Sequence, residues 1–391
     1  MNSTYAGGSD SSGFSLLTCA FSPPLCVYDM ARRHPLQNIL APLLLPLSLL
    51  YGAAGRWKRA RSRVRWKPAR PCAAIGNISW GGTGKTPVTD WLLSWADAHG
   101  LSAAVLTRGY GAKPPHLPLR VQTSTPASDC GDEPLMLARR HPRAAVMVDP
   151  ERGRAGRTLE ASDSVPDIFF LDDGFQHIRA GRDLDLVLLD QDDVRLTPLP
   201  GRPPSNWDRV IPAGTWREPV NALHCASAFL VKCEPEDWPS LLPALEQRLR
   251  DFPRPVFAFR MAPEGLRPAG SDPAAPALPA NALTGPYAFV TGIGDATQAR
   301  RTVTDFMGRG PERALSFPDH HDFRQEKDRL EALGLPIICT GKDAVKLAPL
   351  GLSLPCFALD VKADFFAEHD SPAPSFEQWW DEAFNALRAS R

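Results

Sequence analysis

Residues 79–86 read SWGGTGKT. A glycine-rich run closing on Gly-Lys-Thr is the ending of a phosphate-binding loop. The flanks suit one. PCAAIGN (71–77) is an apolar run of strand length. TPVTDWLLSWADAHG (86–100) puts Val88, Trp91, Leu92 and Trp95 on one helix face and stops at Gly100. Strand, glycine loop and helix in that order need a parallel sheet around them. The general pattern starts with Gly where this chain has Ser79. Serine is costly there only if the backbone must take a positive φ. Pro87 fits the first helical turn, where its missing N–H costs nothing.

The chain supplies the sheet. LSAAVLT, AAVMVD, DIFFLDD and LDLVLLD are further strand-length apolar runs with helical stretches between them. This alternation predicts an α/β fold, a P-loop NTPase-like doubly wound parallel sheet. ASAFLVKC, PVFAFRM, YAFVTGIG and LPIICTGK predict a second, smaller α/β domain, with the Pro- and Ala-rich stretch 264–284 as a loop inside it. SFEQWWDEAFNALRAS predicts an amphipathic helix packing back on the first unit. The expected division is a disordered extension over 1–34, an anchoring helix with a basic flank over 35–67, the P-loop core over 68–220, the second domain over 221–365 and the terminal helix over 366–391.

Lys+Arg and Asp+Glu each number 44, so the overall charge gives no reason to expect a nucleic acid partner. The 8 cysteines include no C-x-x-C pair, which argues for reduced thiols and against zinc or a disulfide framework. Residues 1–25 are rich in Ser and Gly and read as disordered or not natively translated, with Met30 as an alternative start. Residues 36–55, LQNILAPLLLPLSLLYGAAG, carry no charge. That is about the length that crosses a bilayer core, although Pro42 and Pro46 interrupt it. A basic run follows: Arg56, Lys58, Arg59, Arg61, Arg63, Arg65 and Lys67. A secretory signal and a buried helix are the alternatives. An N-terminal membrane-associated helix explains both the apolar run and its positive flank, and places the bulk of the chain on the cytoplasmic side.

The candidate chemistry sits in four stretches. In the loop, Ser79, Trp80, Gly81, Gly82, Thr83, Gly84, Lys85 and Thr86 would bind ATP. Lys85 would contact the β- and γ-phosphates, and Thr86 would ligate Mg²⁺. LDDGFQH (171–177) places Asp172 and Asp173 at a strand end, where a nucleotide site needs its Mg²⁺-directed acid; a turn chosen for its geometry is the alternative. GDEP (131–134) offers Asp132 and Glu133, as a general base or as acids favouring a helix dipole. FPDHHDF (317–323) offers His320 and His321 as an Asp–His base pair, a metal site or plain surface histidines. TRGYGAK adds Arg108, able to contact phosphate.

Together HPLQNILAPLLLPLSLLYG, IGNISWGGTGKTP, TRGYG, GDEPLMLARR, LDDGFQH, IPAGTWREP, VTGIG, FPDHHDF and TGKDAVKL run in order from about residue 34 to 347. This series resembles the tetraacyldisaccharide 4'-kinase family of lipid A synthesis, which tolerates Ser or Thr at the position of Ser79. Two departures stand: residues 1–33 exceed the usual start, and Gly341 replaces the usual Glu. The resemblance implies two α/β units joined by a flexible linker, with the P-loop in the first. It implies an ATP- and Mg²⁺-dependent kinase at the cytoplasmic face of the bacterial inner membrane. Its substrate would be an acylated glucosamine disaccharide 1-phosphate, phosphorylated on the 4'-hydroxyl. Asp132 would accept the hydroxyl proton, assisted by His320; Lys85 would hold phosphate; Asp172 and Asp173 would lie near Mg²⁺. Anionic membrane lipid would be a partner, with no nucleic acid and no obligate protein partner. Three rivals remain. A membrane-associated regulatory ATPase would carry a Lys where this loop has Trp80. A P-loop kinase of a soluble small molecule would have no use for an anchor. A non-catalytic nucleotide-binding membrane module would leave Asp132 and His320 as plain surface residues.

Overall fold

The computed structural model describes residues 35–196, 205, 207–272, 275–366 and 373–391. The extension expected over 1–34 lies outside them. The strands are β1 (Cys72–Asn77), β2 (Ala103–Thr107), β3 (Leu119–Arg120), β4 (Ala145–Val148), β5 (Ile168–Asp172), β6 (Leu184–Asp190), β7 (Ala228–Lys232), β8 (Val256–Pro268), β9 (Ala288–Thr291), β10 (Arg313–Ser316), β11 (Ile337–Thr340) and β12 (Cys356–Phe366). The helices are α1 (Pro35–Arg61), α2 (Lys85–Ala98), α3 (Ala127–Cys130), α4 (Asp132–Arg140), α5 (Arg152–Glu160), α6 (Gln191–Val194), α7 (Trp238–Leu249), α8 (Ala296–Met307), α9 (Lys327–Glu331), α10 (Gly341–Leu347) and α11 (Phe376–Ala389).

All the strands join one sheet in the order β10-β9-β11-β12-β8-β7-β6-β1-β5-β2-β4-β3. Pairing is parallel except for β3 with β4 and β8 with β12. β1 is buried throughout, as its small apolar sequence CAAIGN allows, and lies between β5 and β6. Ile75 is level with Asp172, so the loop after β1 and the LDDGFQH turn leave the sheet side by side. Gly76 is required: a Cβ there would come within 2.6 Å of Phe175. Ligands of parallel sheets gather at this carboxyl edge.

The two halves meet along the antiparallel pair β8–β12, with a register shift at Asp360/Val361. Sequence reading ended the first of these strands at Met261 and missed the second. The expected loop over 264–284 therefore begins as strand, and Leu266 and Leu278 exchange backbone hydrogen bonds of 2.8 and 2.7 Å. β12 (CFALDVKADFF) is interrupted by charge, which hides its period. Its acids are matched across the pair, Asp364 with Arg260 at 2.9 Å and Asp360 with Arg267 at 2.6 Å.

α11 opens with a capping box, Ser375 with Gln378, and packs on α2. Trp95 meets Trp380 edge-on at 5.6 Å and Phe384 at 5.0 Å, and Phe376 stacks on Phe365 at 4.0 Å. Each such aromatic burial is worth about 1.5–3 kcal/mol, so this cluster fixes the helix that the P-loop starts.

α1 turns the usual helix inside out. Its small and polar residues face the protein: Gln37 Nε2 donates to Pro212 O (2.7 Å), Ser48 Oγ accepts from Ala213 N (2.8 Å), and Gly52 packs on Pro219. Arg59 pairs with Glu218 at 2.7 Å. Leu40, Leu43, Leu47, Leu49 and Leu50 are exposed, Leu43 by 76%. The buried-helix alternative does not describe these leucines. Among the described residues no helix is long and apolar enough to cross a membrane.

Candidate active site

The loop from Ser79 to Thr86 needs its glycines at two points. Gly81 has φ 129°, and Gly84, the N-cap of α2, has φ 92°; a Cβ on Gly84 would also press within 3.0 Å of the Phe259 ring. Ser79 is not among the residues with positive φ, so serine costs nothing there. The IPAGTWREP stretch props the loop from outside. Trp80 N donates to Thr215 O (2.9 Å), and Arg217 N to Ile78 O (2.7 Å). Inside, buried Asn77 donates to Thr83 Oγ1 (2.9 Å) and accepts from Lys85 Nζ (3.2 Å).

Arg217 is the cation that sequence reading quoted but gave no role. Its guanidinium grips Asp173 with two bonds of 3.0 Å and also donates to Asn77 Oδ1. Lys85 lies 3.5 Å from the same aspartate. Burial alone would raise the Asp173 carboxyl, but Lys85 and Arg217 outweigh it and hold it well below the usual range. Asp172 is the opposite case. It is buried, accepts from Thr107 Oγ1 (2.8 Å), and is pushed up to about 6 by burial and by the charges of Glu133 and Asp173. Of the two, Asp172 is the carboxylate that gains most from an added cation.

Beneath the loop, fully buried Trp216 donates its indole N–H to Asp193 Oδ2 (3.0 Å). Burial, with Asp190 close by, pushes the Asp193 carboxyl up to about 7. A carboxyl raised in the folded state favours folding below its unfolded pKa of about 4, and loses that contribution as pH rises through about 7. Asp193→Asn keeps an acceptor for Trp216 and carries no charge. Its stability relative to the parent, read by thermal denaturation, is expected to grow from about pH 4 to about pH 7 and level off above. A difference that does not change with pH would remove this buried acid as the cause.

α4 brings the third element. Asp132 and Glu133 open it after Gly131, whose φ of 93° sets the turn. Glu133 Oε2 accepts from Thr86 Oγ1 (2.8 Å). Asp132 Oδ2 meets His320 Nδ1 (3.2 Å) and Lys346 Nζ (3.0 Å). Burial would raise the Asp132 carboxyl, but His320 and Lys346 outweigh it and keep it low. His320 sits at φ 61° after β10 and lies 5.5 Å from the Tyr110 ring. His321 turns away, stacked on Phe317 at 4.5 Å.

Lys342 was also missed. Its ammonium reaches Asp319 (2.9 Å), Glu133 (3.2 Å) and His320 Nε2 (3.4 Å). The readable signal was the GKDAVKL spacing, which puts Lys342 and Lys346 on one face of α10. Gly341 stands where a Cβ would come 3.3 Å from Met136 Sδ.

Lys85, Thr86, Asp132, Glu133, Asp172, Asp173, Arg217, His320 and Lys342 line one cleft of ≈ 1630 Å³, together with Arg108, Tyr110, Arg152 and His177, and with Tyr51, Gly55 and Lys58 of α1. Burial, with Arg152 and Arg182 nearby, depresses His177 to about 4, and the cations on this wall of the cleft are Arg108 and Arg152. Among the described residues, no three or more His, Cys, Asp and Glu side chains form a cluster able to hold a metal. Mg²⁺ at phosphate sites is commonly held by one or two carboxylates together with the phosphates, and Thr86 with Asp172 offers that kind of donor set.

The family model for tetraacyldisaccharide-1-P 4'-kinase matches residues 40–378. The tetraacyldisaccharide 4'-kinase of Nitratidesulfovibrio vulgaris is 46% identical over 362 residues, covering 91% of this chain and 98% of that one. Its counterpart from Pseudomonas paraeruginosa is 35% identical, covering 92% and 96%. Among solved structures, the crystal structure of LpxK from Aquifex aeolicus in complex with ATP, described as an "apo" form, is similar with a TM-score of 0.67 and 26% identity, covering 89% of this chain and 99% of that one.

Proposed function

The chain belongs to the tetraacyldisaccharide 4'-kinase family, an ATP-dependent kinase of lipid A biosynthesis, and from that premise we propose how its residues carry out the transfer. The acceptor is the 4'-hydroxyl of a tetraacylated glucosamine disaccharide 1-phosphate. One observation carries the assignment: consecutive residues serve the two sides of the reaction. Glu133 holds Thr86 of the phosphate loop, and Asp132 holds His320. The donor and acceptor sites are thereby set side by side by one helical turn.

The 79–86 loop wraps the phosphate chain with backbone N–H groups, and Lys85 leaves Asn77 for the β- and γ-phosphates. Asp132 Oδ2 is committed to His320 and Lys346, whereas Oδ1 has no hydrogen bond among the described residues. Oδ1 is the atom that takes the hydroxyl proton. His320, with its proton on Nδ1, donates to Oδ2 and aims the carboxylate. The 4'-oxygen bonds to the γ-phosphorus while the bond to the β–γ bridging oxygen breaks, and the electron pair leaves with ADP. Mg²⁺, when bound through Thr86 and Asp172, neutralises charge on the phosphate oxygens. Arg108 and Arg152 offer positive charge to an anionic group of the substrate.

The cleft reaches α1, whose outward leucines support a place at the cytoplasmic face of the inner membrane. The helix would lie in the interface with its leucines in the acyl layer and its basic end on anionic headgroups. Replacing Leu43, Leu47 and Leu50 by Ser is expected to weaken cosedimentation with vesicles of anionic phospholipid by at least about 10³-fold, since each buried leucine is worth about 1.5–3 kcal/mol. Unchanged cosedimentation would remove this face from membrane contact.

The activity is tested by phosphoryl transfer from ATP to the tetraacyldisaccharide 1-phosphate in detergent micelles. Mg²⁺-dependent product is expected. ATP binding with no transfer to this acceptor would favour the soluble-substrate rival.

A further inference from the structure

The structure assigns Lys342 to the transferring phosphoryl group: we propose that it is a catalytic residue, a second lysine delivered from the C-terminal half to the γ-phosphate that Lys85 holds from the N-terminal half. The inference rests on the kinase reading above and deepens it. The γ-phosphorus must pass between the phosphate loop and the acceptor hydroxyl at Asp132. Lys342 Nζ stands at that boundary. It is 3.2 Å from Glu133 Oε1, while the other oxygen of Glu133 accepts from Thr86 at 2.8 Å. It is 3.4 Å from Nε2 of His320, whose Nδ1 meets Asp132. It therefore lies within one side chain of the loop threonine and one side chain of the base.

The side chain is only 14% exposed and points into the cleft from the start of α10. Burial would lower the proton affinity of its ammonium, but Glu133 and Asp319 outweigh that and keep it charged. No acid at position 341 competes for it, because that residue is Gly. Lys346, one turn on, is committed to Asp132 and lies over the Phe323 ring. Both lysines are ion-paired, but of the α10 pair Lys342 lines the cleft and Lys346 does not, so Lys342 is the one placed to stabilise charge on the transferring group. It moves no proton. The 4'-oxygen gains its bond to phosphorus, the bridging oxygen leaves with the electron pair, and the hydroxyl proton goes to Asp132. The ammonium holds the equatorial oxygens as charge spreads onto them.

The alternative is an ion pair that merely ties α10 to α4. Lys342→Met keeps length and flexibility without charge, and Lys342→Arg keeps charge. On the full chain in micelles, kcat of Lys342→Met is expected to fall about 10²- to 10³-fold, with ATP affinity within about threefold of the parent. Affinity for ADP–aluminium fluoride, which mimics the transferring group, should fall by a similar factor to kcat, and Lys342→Arg should recover part of both. A kcat for Lys342→Met within about threefold of the parent, or a loss matched by equal losses in ATP affinity and thermal stability, would overturn the proposal. A parent enzyme that binds ATP but forms no lipid product would instead sink the kinase reading.

Discussion

Lys85→Ala is expected to reduce kcat at least 10²- to 10³-fold, about 3–4 kcal/mol of transition-state stabilisation by the scale for losing one preorganised donor. The expectation follows from where the ammonium is held. Asn77 and Asp173 hold it beside the loop, 3.2 and 3.5 Å away, so it needs only to exchange the Asn77 hydrogen bond for phosphate. The surrounding carboxylates make it hard to replace. Without it, Asp173 keeps Arg217 as its one direct cationic partner among the described residues, and the phosphate chain meets Asp172, Asp173 and Glu133 with less compensation. The loss should appear mainly in kcat, because charge on the γ-phosphoryl oxygens changes most in the transition state. Steady-state transfer to the lipid acceptor checks it, beside ATP affinity by equilibrium binding. Turnover near the parent level would contradict the loop assignment.

Asp132→Asn is expected to lower kcat about 10²- to 10⁴-fold, the span of general-base contributions. The amide keeps the shape and can still accept from His320, but it takes no proton. It also leaves Lys346 without its nearest acid in a site where both side chains are almost fully buried. A modest loss of thermal stability should therefore accompany the catalytic loss, and Lys346→Met in the same chain should reverse part of the former only. Product at the parent rate from Asp132→Asn would take the base role away from this residue. Product restored by raising pH would show that the base only assists hydroxyl ionisation.

The phosphate loop was legible because every part of it is local. Strand, glycines, Lys85, Thr86 and the apolar face of α2 all fall within about thirty residues, and each obeys a short-range rule. Asp172 and Asp173 were legible as a strand-end pair, but their division was not. It depends on Arg217 and Lys85 reaching one and not the other, and no spacing in the sequence states that. Asp132 and His320 were named through a family resemblance; from residue patterns alone each had a plain structural alternative. They stand far apart in the chain and meet only because β10 and α4 are brought to one edge.

The missed strand β12 has a similar cause. Its charges read as loop until Arg260 and Arg267 are placed opposite them across the pair. The exposed leucines of α1 show the reverse failure of pattern. The composition announced an apolar segment, but which face would be free depended on Gln37, Ser48 and Gly52 finding Pro212, Ala213 and Pro219.

By itself, then, the sequence determined the α/β class, the phosphate loop and its helix, and the apolar segment with its basic end, all written in neighbours a few residues apart. Only the tertiary structure decided which of Asp172 and Asp173 is ion-paired to Arg217 and Lys85, and that Lys342 lies between Glu133 and His320. Those are matters of distance between charges in a buried cleft. A charge acts over a few ångströms of space, wherever its residue falls along the chain.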